Sequence, residues 1–225
     1  MNLKSIYTFF YSLSPKPFKP FMVKLKVAYN LVFKKESYLV QTGYIDSHIN
    51  KWLKNPDGEY IPWLNYPVIS FLNDKLDKNI VVFEYGSGFS SIFFAKRVKR
   101  VISIEYDEKW HSTVQTLVPE NGQVHYVPLN DEYPSSIGKI MKNEKCNLIL
   151  VDGRRRVECA IEAHKYLAND GVLIFDDSHR ERYKSGIQFY LDRGYRSIVF
   201  QGLKPMGLEM DQSTILYKEN NCLGI

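Results

Sequence analysis

The sequence predicts an α/β domain built on a mostly parallel sheet with helices on both faces. Three observations predict it. Short apolar runs alternate with helical patterns from Ile80 onward. A Gly-x-Gly turn, Gly86-Ser87-Gly88, follows the first run. An acidic residue closes nearly every run: Glu84, Glu105, Asn130-Asp131, Asp152 and Asp176-Asp177. Strands that are apolar throughout are buried on both faces, as in doubly wound parallel sheets. Such sheets bind ligands at the carboxyl ends of their strands, so five acidic ends at one edge read as a site.

The elements follow in order. Residues 1–20 read as an irregular arm and 21–35 as a helix. Asn55-Pro56-Asp57-Gly58 is a turn by its chemistry. Pro62 and Pro67, with aromatics between them, read as a rigid loop ahead of a helix from Val68 to Leu76. Strands are expected at Ile80–Glu84, Arg100–Glu105, Val124–Pro128, Asn147–Val151 and Val172–Phe175. Between them, helices are expected at Ser90–Arg97, Glu108–Leu117, Ser135–Met141 and Arg156–Leu167. Arg182–Arg193 reads as a last helix, before two closing strands at Tyr195–Phe200 and Ser213–Lys218. The division is an N-terminal basic arm and helix, 1–40, and one domain, 41–225.

Composition narrows the function classes. In 225 residues, 44% are hydrophobic and 24% charged, which excludes disorder or coiled coil as a description of the whole chain. No window is apolar enough to span a membrane. Ser5–Leu13 lacks the small-x-small cleavage pattern of a secretory signal. Three cysteines at 146, 159 and 222 have no metal-like spacing, and the simple reading is a reduced, cytoplasmic protein. The net charge of +5 is uneven: residues 1–40 hold seven Lys and one Glu, leaving −1 for the remainder. A nearly neutral domain argues against a nucleic-acid partner. The arm mixes Lys with Phe, Tyr and Pro and has two readings. It is either a peripheral anchor on anionic lipid or a solvated extension that packs its aromatics on the domain, and the second is favoured.

The glycine loop has two informative details. The third glycine of a dinucleotide fingerprint is missing, because Ser91 stands there. Glu84 at the strand end would repel a pyrophosphate but suits a ligand carrying ammonium and sulfonium groups. Glu105, 17 residues beyond Gly88, is placed to accept hydrogen bonds from both hydroxyls of a ribose.

At these residues the chain resembles the class I S-adenosylmethionine-dependent methyltransferases. The resemblance covers about residues 60–218. It rests on Glu84 to Ser91, with Ser90 where the motif usually has its last Gly, on Pro62-Trp63 and Tyr66-Pro67, on Ser103 to Asp107 with Trp110, and on Val151-Asp152-Gly153-Arg154. These runs look like a bacterial subgroup of that family. The resemblance implies a Rossmann-like, doubly wound seven-stranded sheet whose last two strands form an antiparallel hairpin. It implies that Gly86, Ser87 and Gly88, with Tyr85 in the same loop, cradle the methionine part of S-adenosylmethionine. Glu84 would hold its ammonium group, Glu105 its ribose, and Tyr106 would lie near the adenine. Asn130-Asp131 would contact the adenine amino group.

For the chemistry, Asp152, Asp176 and Asp177 end neighbouring strands and would converge on one Mg²⁺, as in the metal-dependent O-methyltransferases they resemble. Asp152 would otherwise touch the cofactor or the acceptor, as a catalytic group, and the Asp pair would cap a helix. His179 is the candidate base, since imidazole titrates near neutrality. Arg154, Arg155 and Arg156 follow the fourth strand, where a helix start disfavours cations. At least Arg154, with Arg156, is therefore expected to bind an anionic acceptor. Lys204 and its neighbours, in the 202–211 loop, would cover the same edge. The expected activity is O-methylation of a small polar acceptor such as a sugar or glycan intermediate. The alternatives are a non-catalytic cofactor-binding or scaffold protein and a nicotinamide-dependent oxidoreductase, which the missing glycine and Glu84 count against.

Overall fold

The computed structural model describes residues 3–225. Seven strands form one sheet in the order β3-β2-β1-β4-β5-β7-β6. They are β1 (Val81–Tyr85), β2 (Arg100–Glu105), β3 (Gly122–Tyr126), β4 (Cys146–Val151), β5 (Leu167–Phe175), β6 (Arg196–Gly202) and β7 (Asp211–Tyr217). The first five pair in parallel. β7 pairs antiparallel with both β5 and β6, closing the expected C-terminal hairpin.

Period-two alternation divides the side chains between two cores. On one face Val82, Leu148, Leu150 and Ile174 pack under Leu72, Phe93 and Phe94. These come from α5 (Tyr66–Lys75) and α6 (Phe89–Arg97). On the other face Phe83, Tyr85, Ile149 and Phe175 meet Tyr133, Ile137, Ala160 and Tyr190. The last three of these belong to α8 (Ser136–Met141), α9 (Arg156–Ala163) and α10 (Lys184–Leu191). Each buried Val, Leu, Ile or Phe side chain among them contributes roughly 1.5–3 kcal/mol. Beside β2 and β3 runs α7 (Glu108–Leu117), its N-terminus capped by Asp107, whose Oδ1 accepts from Trp110 N at 2.9 Å.

The strand order reverses between β1 and β4, where such a sheet opens a crevice. The two loops there interlock. Asp152 N donates to Tyr85 O at 3.0 Å. Gly86 has φ +97°, and a Cβ on it would sit 3.0 Å from Gly153 N. A Cβ on Gly153 would sit 2.7 Å from Tyr133 Oη, so both positions require glycine.

Some boundaries differ from expectation. Leu167 opens β5 rather than ending a helix, because α9 stops at Ala163 and a 3₁₀ turn, His164–Tyr166, follows. The turn-like Asn169-Asp170-Gly171 hides this strand start, whose pairing with β4 shifts register between Cys146 and Leu148. Nor is the N-terminus irregular: α1 spans Leu3–Leu13 and α2 spans Lys19–Phe33, joined by a 3₁₀ turn at Lys16–Phe18. Two short helices, α3 (Tyr38–Gln41) and α4 (Tyr44–Asn50), lead to the domain. The expectation that the arm's aromatics pack on the domain fails: Phe9, Phe10, Phe18, Phe21 and Phe33 are all exposed.

Candidate active site

A cleft of about 650 Å³ opens at the carboxyl ends of β1, β2 and β4. One wall is the glycine loop. Glu84 lies beneath it, fully buried, on the face of the sheet that carries α6. Ser103 Oγ donates to Glu84 Oε2 at 2.6 Å, and Ser103 in turn shares a 3.0 Å hydrogen bond with Ser91 Oγ. Oε1 is buried with no partner among the described residues. Burial pushes this carboxyl up to about 7, against the serine hydroxyls, which favour the anion. Glu84 is therefore behind the loop, with one oxygen free for a cation or water and none on the cleft wall.

Glu105 does line the cleft. Its Oε2 accepts from Ser87 N at 3.1 Å and Ser87 Oγ at 3.2 Å, and its Oε1 accepts from Tyr106 N and Asp107 N, both at 2.9 Å. A carboxylate offers about four acceptor sites, so all are in use, and a diol at Glu105 would displace Ser87. Trp110 Nε1 donates to Ser87 O at 2.9 Å, and its ring stands 3.7 Å from where a Gly88 Cβ would be. Ser87, Glu105 and Trp110 thus form one hydrogen-bonded wall.

The opposite wall is ionic at Asp152, Arg156 and Arg180, and is backed by Asp176, Asp177, Lys204 and Asp211, which do not themselves line the cleft. Arg156 is 8% exposed. Its Nη2 donates to Asp152 Oδ1 at 2.7 Å, its Nη1 to Asp176 O at 2.6 Å, and Nη1 lies 3.2 Å from Asp177 Oδ2. Lys204 Nζ lies 3.1 Å from Asp177 Oδ1 and 3.4 Å from Asp211 Oδ1, and Arg180 Nη2 lies 2.8 Å from Asp177 Oδ2. Burial, then Asp152, pushes Asp176 up to about 8, while Ser213 Oγ donates to its Oδ1 at 2.8 Å. Asp177 goes the other way: burial would raise it, but Arg156 and Lys204 outweigh burial and hold it below the usual range. Burial raises Asp152 as well, so the four carboxyl groups of Asp152, Asp176, Asp177 and Asp211 share three cations, Arg156, Arg180 and Lys204.

This arrangement corrects several expectations. The Mg²⁺ site at Asp152, Asp176 and Asp177 does not fit, because the Arg156 guanidinium lies between them and Lys204 completes the neutralisation. Asp177, His179 and Asp211 do bring ligand atoms within 4.8 Å of one another, but Lys204 already bridges the two carboxylates. Arg156 and Lys204 are consumed in these pairs, which leaves neither free for an anionic acceptor. His179 is not on the cleft wall: its Nδ1 lies 3.9 Å from Asp211 Oδ1. Tyr85 turns into the second core and donates to Pro134 O at 2.7 Å. Asn130 and Asp131 are also off the wall, with Arg155 Nη1 bound to Asn130 O at 2.9 Å and to Asp131 Oδ1 at 3.1 Å.

Gly86, Ser87, Glu105, Tyr106, Asp152 and Arg154 do meet at the cleft. Arg154 Nε donates to Tyr106 Oη at 3.2 Å. Sequence reasoning missed Arg182 and Tyr183, which line the same side. The Arg182 guanidinium lies 4.9 Å from the Tyr183 ring centroid. Neither Arg154 nor Arg182 has a carboxylate partner among the described residues, unlike Arg155, Arg156 and Arg180. Trp63, from the Pro62–Pro67 loop, also lines the cleft, with Lys204 Nζ 5.6 Å from its ring centroid. The only signal for Arg182 was a basic residue early in an expected helix, which many solvated helices share.

No family model and no curated protein matches this sequence. Solved structures do. A precorrin-8w decarboxylase from Methanobacterium thermoautotrophicum is 18% identical, over 75% of this chain and 97% of that one, with a TM-score of 0.54. An rRNA methylase from Streptococcus thermophilus is 16% identical, over 70% and 99%, at 0.52. A precorrin-6y C5,15-methyltransferase from Geobacter metallireducens is 13% identical, over 75% and 96%, at 0.54. The fold is that of the class I methyltransferases. Proteins of this shape are named for precorrins and for rRNA alike, so the fold does not choose the acceptor, and near-neutral charge does not exclude nucleic acid.

Proposed function

We propose that this protein is an S-adenosylmethionine-dependent methyltransferase that acts on a hydroxyl of a small anionic acceptor, such as an acidic sugar or glycan intermediate. The observation that carries the reading is the pairing of two walls in one cleft. The Gly86–Ser87 loop with Glu105 and Trp110 suits the cofactor, and the unpaired Arg154 and Arg182 suit an anion.

The residues fit the cofactor. Gly86 and Ser87 would take its methionine part, Glu105 its ribose and Tyr106 the adenine side. The orphaned Glu84 Oε1 matches an ammonium group, reached through water from behind the loop. When bound, the cofactor supplies a methyl carbon activated by a sulfonium. The protein then has mainly to align the acceptor. Arg154 and Arg182 would fix the anionic end of the acceptor, and Trp63 would cover the rim. Asp152, to which Arg156 donates at 2.7 Å, would be the cleft carboxylate that holds the proton a hydroxyl gives up.

The test is calorimetric titration with S-adenosylhomocysteine, with Glu105→Ala and NAD as controls. Micromolar binding that the variant weakens supports the reading. A folded protein that binds NAD instead, or neither, overturns it. A second reading, cofactor binding without turnover, gains from Asp152 being already paired with Arg156. It predicts binding with no methyl transfer to any anionic acceptor.

A further inference from the structure

The N-terminal hairpin carries an interface. Lys26 Nζ stands 4.5 Å from the Tyr7 ring centroid and Lys19 Nζ 5.2 Å from that of Tyr11. The rising number on α1 meets the falling number on α2, so the two helices run antiparallel about the Lys16–Phe18 turn. The Tyr7 and Tyr11 face of α1 is spent on this contact. Ile6, Phe9, Phe10 and Leu13, at i, i+3, i+4 and i+7, then form a separate apolar stripe. Phe9 is 57% exposed, Phe10 55% and Leu13 67%.

The second helix adds to the same surface. α2 has no buried residue, and Phe21, Val23, Leu25, Val27, Tyr29, Leu31 and Phe33 are all exposed. Alternate positions run all round a helix, so exposed apolar side chains are interleaved with the lysines of α2, and an exposed apolar surface of this extent is normally covered. None of the six lysines from Lys16 to Lys35 has a carboxylate partner among the described residues. With 15 residues, α2 is about 22 Å long, short of the roughly 30 Å of a bilayer core.

The charge selects the occupant. A symmetric second copy would press together two arms that each sum to +6. An anionic bilayer neutralises the lysines and takes the aromatic and aliphatic side chains into its headgroup layer. We propose that the α1–α2 hairpin docks this protein on an anionic lipid surface. The Ile6–Leu13 stripe and the exposed side of α2 enter the headgroup region, and Lys16, Lys24, Lys34 and Lys35 meet the lipid phosphates. This stands independently of the methyltransferase reading.

The test is flotation of the full chain with vesicles of phosphatidylcholine, alone or with about 30% phosphatidylserine. Binding is expected on the anionic vesicles, at least tenfold weaker on the neutral ones, and reversed by about 0.5 M salt. Phe9→Ser with Phe10→Ser and Leu13→Ser removes the apolar stripe. Lys16→Glu with Lys24→Glu, Lys34→Glu and Lys35→Glu reverses the charge. All seven side chains are exposed, so both variants should unfold at the wild-type temperature and each should lose binding at least tenfold. Three results overturn the proposal: no binding to anionic vesicles, equal binding to both compositions, or binding that neither variant weakens. Light scattering that shows a dimer abolished by the serine variant, with no vesicle binding, would assign the face to a second copy instead.

Discussion

The two walls of the cleft are built on different principles. The glycine wall is held by one carboxylate: Glu105 accepts from three backbone N–H groups and one hydroxyl, all within 18 residues in sequence. The ionic wall is held by many side chains from the loops after β4 and β5, from α9, from the β6–β7 loop and from β7, with partners up to 37 residues apart, as Ser213 is from Asp176. A wall that hangs on one anion loses shape when that anion is removed. A wall of mutually compensating charges loses stability when one of them is removed.

Arg156 offers the largest test of that contrast. Arg156→Ala strips the buried guanidinium from Asp152 and Asp177, leaving Asp152 without its ion pair and buried Asp177 to Lys204 and Arg180 alone. The expected loss is about 3–5 kcal/mol in denaturant unfolding, the scale for breaking one side of a buried pair. A loss below about 1 kcal/mol would mean the ionic wall is solvated after all. Glu105→Ala should act the other way round. Its main effect should be a loss of roughly 1–3 kcal/mol in S-adenosylhomocysteine affinity, the scale of charge-assisted hydrogen bonds. Unchanged affinity would leave Glu105 as a brace for Ser87 and nothing more.

The same contrast explains what was legible in the sequence. The sheet, the glycine loop and Glu105 could be read because their signals are local: an apolar run, then Gly-x-Gly, then an acid at the next strand end. The ionic wall could not. Asp152, Asp176 and Asp177 were correctly seen to share an edge, and that is why a metal was expected. What neutralises them is Arg156, expected to be an acceptor ligand, and Lys204, 27 residues from Asp177 in a loop with no periodicity. His179 failed for a related reason. Asp177 adopts φ +53°, a left-handed turn that proximity in sequence does not announce, and His179 ends beside Asp211. Gly153 shows the same limit, since only the fold brings Tyr133 and Gly86 against it.

Titration sharpens the comparison. Burial and Asp152 raise Asp176 from its ordinary 3.8 to about 8. A carboxyl raised on folding favours the folded state most below its unfolded value, and that contribution is lost as pH rises through the folded value. Stability should therefore fall between about pH 4 and pH 8. Asp211, raised to about 6 by burial and then Asp176, acts in the same direction over a narrower window. Asp176→Asn should lessen the slope by at most one proton, about 1.4 kcal/mol per pH unit. Urea midpoints measured across that range check it. A slope that the variant leaves intact would assign the pH dependence to Asp152, Asp211 or Glu84, which burial also raises.

The smallest expected effect separates the free arginines from the spent ones. Arg182 is exposed, lines the cleft and has no carboxylate partner among the described residues. Removing it should cost the fold almost nothing, because surface substitutions of this kind fall within about 0.5 kcal/mol. If it holds the anionic end of an acceptor, Arg182→Ala should raise the Michaelis constant roughly three- to tenfold, with the turnover number unchanged, the signature of uniform binding. Arg154→Ala should do the same and should also free the Tyr106 hydroxyl that Arg154 now contacts at 3.2 Å. A fall in turnover with either variant, at constant Michaelis constant, would move that arginine from holding the acceptor to stabilising the transition state. Wild-type constants in both would leave the cleft's positive charge without a ligand and turn attention to neutral acceptors.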